Sequence, residues 1–110
     1  MVDQTSSFET RADKALHDFM EAIEDVLGDY LEVDLESGIL TIELETGAQY
    51  VINKHAPMRQ IWLSSPFSGA AHFDYDETGQ AWISTRGGEK LTDILGSELS
   101  NATGQPFSLP

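Results

Sequence analysis

Three groups of residues have types and spacings that could do chemistry. The first is acidic. Asp13, His17, Glu21 and Asp25 follow one another at four-residue steps, which would line them along one stripe of a helix. Asp18 and Glu24 flank that stripe, Asp29 follows it, and Glu32, Asp34 and Glu36 alternate along the next segment. Like charges at helical spacing repel by a few tenths of a kcal/mol per pair, a cost that mixed charges would have avoided. An oxygen-rich surface with an occasional imidazole suits hard or borderline cations such as Fe²⁺, Fe³⁺, Mn²⁺ or Ca²⁺. The same residues also read as a solvated acidic face that keeps the chain soluble. The Glu-x-x-His pairs of di-iron bundles, the His-Glu-x-x-His of zincins and the EF-hand loop are all missing. Any metal held here would be held openly and weakly.

The second group centres on Trp62. Strand alternation in Gln60-Ile-Trp-Leu-Ser64 puts Ile61 and Leu63 on one face and Gln60, Trp62 and Ser64 on the other. Ile61 and Leu63 read as core, which leaves Trp62 among polar neighbours, with Asn53 and His55 close by in sequence. Such a tryptophan is either a binding hot spot or lies flat against Arg59 or Met58. The third group is His72, Asp74 and Asp76, which alternation places on one face as a minor cation site or a plain polar surface. Trp82 reads as core. Ser64 and Ser65 lack the Gly-x-Ser-x-Gly setting of an activated nucleophile, and no phosphate loop or dinucleotide fingerprint occurs.

These groups sit in a chain of 110 residues, the length of one domain with one core. There is no cysteine, hence no disulfide and no thiolate ligand. A net charge of −13 argues against nucleic acid or an anionic membrane as partner. The charge is uneven, since residues 1–50 hold thirteen acids against two bases and residues 51–110 hold six against four. No apolar run approaches the length of a membrane span. The N-terminus has neither the apolar core of a signal peptide nor the arginines of a transit peptide.

The elements that must position the three groups follow from periodicity. Ser6-x-x-Glu9 is a capping-box pattern. Phe8, Ala12, Ala15 or Leu16, Phe19, Ile23 and Val26 or Leu27 then recur at helical spacing up to Gly28. Leu31–Glu36 and Leu40–Glu45 alternate as two strands joined at Ser37-Gly38. Further strands are expected at 48–53, 59–64, 71–75 and 80–84, with Pro57 in the loop between the third and fourth. Leu91, Ile94 or Leu95, Leu99 and Ala102 give a second helix, ended at Thr103-Gly104, with Phe107 and Leu109 tucked back against the helices. Hairpin-length connections mean an antiparallel sheet. The expected fold is α+β: a two-layer sandwich of two helices on one face of a five- to six-stranded antiparallel sheet, with Trp62 on the uncovered face.

Ile52-Asn-Lys-x-x-Pro57 followed by Gln60-Ile-Trp-Leu-Ser-Ser-Pro66 and Ser68-Gly69 resembles the central signature of the frataxins, called CyaY in bacteria. Supporting matches are Ala12-Asp13 and Leu16, Ser37-Gly-Ile-Leu-Thr41, Gly69 with Phe73-Asp74, Trp82, and Leu91-Thr-Asp-Ile-Leu95 with Glu98-Leu99, so the resemblance covers about residues 8–100. It implies the same sandwich. It implies weak iron binding, as Fe²⁺ or Fe³⁺, on an acidic ridge whose positions here are Asp13, His17, Glu21, Glu24, Asp25, Glu32 and Asp34; Asp18 and Asp29 join them by proximity. It implies a role in iron–sulfur cluster assembly, through binding a cysteine desulfurase and its scaffold protein and delivering Fe²⁺. The partner face would comprise Asn53, Gln60, Ile61 and Trp62, with His55 beside them. The sequence departs from the family at His55, where glutamine is usual, and at Lys14 and His17, where many relatives carry acids. The rival reading is a ferroxidase that oxidises and stores iron in an oligomer, for which the sequence offers no two-iron motif. The expected state is a monomer without iron and an oligomer only with it. The expected compartment is the bacterial cytoplasm, with the mitochondrial matrix as the alternative.

Overall fold

The computed structural model describes residues 4–109, and the side chains of residues 7–109. Helix α1 spans Gln4–Leu27. Phe8, Ala12, Leu16, Phe19, Ile23 and Leu27 form its buried stripe, because three- and four-residue steps return to the same helix face. The helix already runs through Ser6, so Ser6 is not its cap; the Ser6 side chain lies outside those described. Leu27 is core and Val26 turns outward.

Six strands follow: β1 Leu31–Glu36, β2 Ile39–Leu44, β3 Gln49–His55, β4 Gln60–Ser65, β5 Gly69–Asp76 and β6 Ala81–Ser84. All neighbours are antiparallel, and their order in the sheet is their order in the chain. Ser37 and Gly38 both have positive φ, 53° and 78°. That is the primed two-residue turn whose twist matches a hairpin, and glycine adopts it without a Cβ penalty. Four strand starts differ by one residue from the alternation pattern: β2 opens at Ile39 instead of Leu40 and β3 at Gln49 instead of Ala48, while β4 and β6 open one residue late for a shared reason. Arg59 and Gln80 adopt left-handed backbone, φ 52° and 51°, and so close the preceding turns instead of opening β4 and β6. Arg59 caps a 3₁₀ turn, Ala56–Met58, that holds Pro57. β3 runs two residues past Asn53, and β5 is longer than expected at both ends.

Helix α2, Leu91–Thr103, ends at Gly104, whose amide donates to the Ser100 carbonyl at 2.9 Å. Leu91, Leu95 and Leu99 join the α1 stripe and the sheet residues Leu40, Ile42, Tyr50, Ile52, Ile61, Leu63, Phe73 and Trp82 in one core. The C-terminal tail crosses α2 at Gly96, where an added Cβ would sit 3.3 Å from the Leu109 amide nitrogen. Phe107 and Leu109 pack against the core there, as the sequence predicts.

Glu98 on α2 ties this layer together. Its carboxylate accepts hydrogen bonds from the Tyr50 hydroxyl at 3.0 Å, from Ser65 Oγ at 2.6 Å and from Ser68 Oγ at 2.7 Å. Burial, and then the Glu98 carboxylate, raise the Tyr50 phenol above its ordinary 10.0. The phenol therefore stays protonated in the folded chain at a pH where the unfolded chain ionises it. Its contribution to stability is complete below about pH 10 and is lost as pH rises further. Denaturant midpoints measured up an alkaline series should fall for the native protein and fall less steeply for Tyr50→Phe.

Candidate functional site: an acidic ridge and a helix-free sheet face

Both helices cover the same side of the sheet, so each strand shows its alternate residues on a face that no helix covers. Strand register brings Ile39, Asn53, Trp62 and His72 into one row across β2, β3, β4 and β5. Thr41, Val51, Ser64 and Ala70 form the next row. Over β2 to β5 the face is thus weakly polar, with Ile39 44% exposed and Trp62 in its middle, and it turns acidic at the β1 edge, where Glu36 lies opposite Ile39 and Asp34 opposite Thr41.

Trp62 does not lie flat on Arg59 or Met58. Its indole stands between two imidazoles, His55 with ring centroids 3.7 Å away and His72 at 4.2 Å, each within 8° of parallel. The indole N–H donates to Gln60 Oε1 at 2.9 Å, and Gln60 Nε2 donates to Asp74 Oδ1 at 2.9 Å. Gln60 is only 8% exposed, so this chain fixes the edge of the indole from below. Of the residues expected on the partner face, Asn53, His55 and Trp62 are there. Gln60 lies beneath the surface as a support. Ile61 is a correction: it is fully buried on the helix side, opposite Phe73 and Lys54, as its place in the alternation requires, and a partner on the open face cannot touch it.

His72, Asp74 and Asp76 do not form a cation site. His72 is engaged with Trp62, Asp74 accepts from Gln60, and Asp76 accepts the Thr78 and Gly79 amides at 3.2 Å, closing its turn. His72 is instead the residue that sequence reasoning left out of the Trp62 site. Only the β4–β5 register, fixed from Ser65 opposite Gly69, places it across from Trp62.

The second surface is the ridge. Asp13, His17, Asp18, Glu21, Glu24, Asp25, Asp29, Glu32 and Asp34 are all exposed. Asp18, Glu21, Glu24 and Asp25 line one shallow depression on α1. Three ridge acids already have partners. Lys54 Nζ lies 2.9 Å and 3.1 Å from the two Asp13 oxygens. Lys14 bonds Asp18 at 2.6 Å, which raises the lysine pKa, and His17 Nδ1 is 3.2 Å from Glu21. Glu24, Asp25, Glu32 and Asp34 have no ion pair among the described residues. Glu32 also faces Glu43 directly across the β1–β2 ladder, a like-charge pair that costs stability. Among the described residues, no three His, Cys, Asp or Glu side chains converge on a point where they would chelate a metal. The ridge is chemically suited to a hydrated cation held by field and a few oxygens rather than by a formed cage. Among the described residues, no helix is long and apolar enough to cross a membrane.

The frataxin-like domain model matches residues 1–105. The mitochondrial frataxin of Arabidopsis thaliana is 39% identical over 110 residues, covering 96% of this chain and 59% of that protein. The iron-sulfur cluster assembly protein CyaY of Thioalkalivibrio sulfidiphilus is 39% identical over 105 residues, covering 94% of this chain and 96% of its own length. Among solved structures, a frataxin from Psychromonas ingrahamii superimposes with a TM-score of 0.85 at 26% identity, covering 96% of both chains. A trimeric Saccharomyces cerevisiae frataxin complexed with ferrous iron matches with a TM-score of 0.73 at 39% identity, over 86% of this chain and 87% of that one. The two-layer architecture, the Trp62 segment and these matches agree: the chain belongs to the frataxin family.

Proposed function

We propose that this protein serves iron–sulfur cluster assembly as a binding protein, docking on a cysteine desulfurase–scaffold complex through the Trp62 face while the acidic ridge attracts Fe²⁺ as cargo. The observation that carries the reading is the fixed Trp62 at the centre of a helix-free, weakly polar face. A well-placed tryptophan surrounded by contacts that add little energy but exclude water is the usual make-up of a protein-binding hot spot. Bacterial relatives named as iron-sulfur cluster assembly proteins, and the yeast relative complexed with ferrous iron, support the assignment. The ridge adds a long-range term, since its field speeds encounter with cations and with basic partner surfaces.

The decisive experiment is sulfide release by a purified desulfurase–scaffold complex, with and without this protein and with and without Fe²⁺. A change in rate is expected. No change, combined with oxygen uptake on adding Fe²⁺, would favour iron oxidation and storage instead.

The ridge has its own test. Converting Glu24, Asp25, Glu32 and Asp34 together to amides should remove the paramagnetic broadening that Fe²⁺ causes in NMR spectra. It should also raise the melting temperature slightly, by relieving repulsion worth a few tenths of a kcal/mol per pair. Asp13→Asn should lower stability by up to about 1 kcal/mol, because it strands the Lys54 ammonium. Broadening that persists in the fourfold variant would place iron elsewhere.

A further inference from the structure

We infer that His55 and His72 are positioning residues that hold the Trp62 indole on edge, so that the face offers a partner a three-ring blade rather than a flat indole. The inference rests on the docking reading above and says what the docked surface is. The three rings lie within 8° of parallel at centroid spacings of 3.7 Å and 4.2 Å, so both π-faces of the indole are covered. His72 is the direct cross-strand neighbour of Trp62 on β5, and His55 comes diagonally from β3. Rings stacked side by side across neighbouring strands must stand out of the sheet plane rather than lie on it. The indole N–H is already bonded to Gln60, itself held by Asp74. Trp62 therefore has no donor left for a partner and contributes apolar edge alone. His55 Nδ1 is buried with no hydrogen-bond partner.

This geometry defines the partner's surface. An aromatic or cationic side chain cannot stack on the indole, because imidazoles occupy both sides. The partner fitting this face is a folded protein with a narrow apolar slot that accepts the ring edges. Holding the blade upright before contact removes an ordering cost from binding.

The test compares His72→Ala with His72→Phe. In the free protein, the Trp62 indole N–H signal, assigned with Trp62→Phe, reports the ring's setting. His72→Ala should shift that signal and speed its exchange with water, and should weaken binding to the desulfurase–scaffold complex by about fivefold, the scale of one aromatic pair. His72→Phe keeps the stack without the imidazole nitrogens and should restore the signal, and affinity to within about twofold. An unchanged indole signal and affinity in His72→Ala would overturn the inference. So would His72→Phe with a native-like indole signal but the affinity of His72→Ala, since His72 would then be a direct contact. If the native protein fails to bind the complex, the docking reading fails, and the indole signal in the free protein alone still decides the clamp.

Discussion

Replacing Trp62 with alanine should weaken binding to the desulfurase–scaffold complex by about 30-fold or more, a loss of about 2 kcal/mol. The size follows from position. Trp62 is the largest side chain on the helix-free face, at the centre of a row whose neighbours are Asn53 and His72. Its removal also leaves His55 and His72 without their shared ring and Gln60 without the indole donor. The structural cost is nonetheless modest, about 1–2 kcal/mol, because the lost stacks lie outside the core. Titration calorimetry at fixed salt, beside a thermal melt, separates the two effects. An unchanged dissociation constant would remove Trp62 from the docking surface.

The largest effect on stability is expected at Glu98. Glu98→Ala deletes the acceptor shared by Tyr50, Ser65 and Ser68. Tyr50 is fully buried and Ser65 nearly so. Their hydroxyls would lose a charged partner, and bonds of that kind contribute about 1.5–3 kcal/mol each. A total loss of about 3 kcal/mol would lower the melting temperature by roughly 10–20 °C in a domain of this size. Glu98→Gln keeps one acceptor oxygen and should lose less. Tyr50→Phe made in the Glu98→Ala background should recover part of the loss, since it deletes the orphaned hydroxyl. A loss below about 1 kcal/mol in Glu98→Ala would show that these bonds contribute little net stability.

Much of the fold was legible because burial and periodicity speak directly. Phe8 through Leu27 at helical spacing, and Leu31, Val33 and Leu35 against Leu40, Ile42 and Leu44, admit no other arrangement of apolar faces. The site was legible only in part. Trp62 announced itself by polar flanks, but what surrounds it depends on register, and no local pattern tells that position 72 will lie across from position 62. Gln60 shared the alternation of Trp62 and looked equally exposed, yet it works as a buried prop. Ile61 shows the opposite error: the family resemblance put it on the partner face, while its alternation with Leu63 had already assigned it to the core. On the ridge the sequence exposed the charges but not their pairing. Lys54 reaches Asp13 across 41 positions, and that ion pair exists only once β3 lies beneath α1.

The sheet's spatial order has a kinetic consequence. Every strand pairs with its predecessor through a short turn, so each pairing closes a small loop, and the closing cost grows only slowly with loop length. A β-rich chain wired this way has few distant strand pairings to search for, and topologies with local contacts fold fast. The slow part of the search falls on the two ends, because α1 and α2 must meet over a meander that separates them by more than sixty residues. Leu91, Leu95, Leu99 and Glu98 all arrive with that last helix, so a chain emerging from the ribosome can form its hairpins early and completes this core only once α2 has been made.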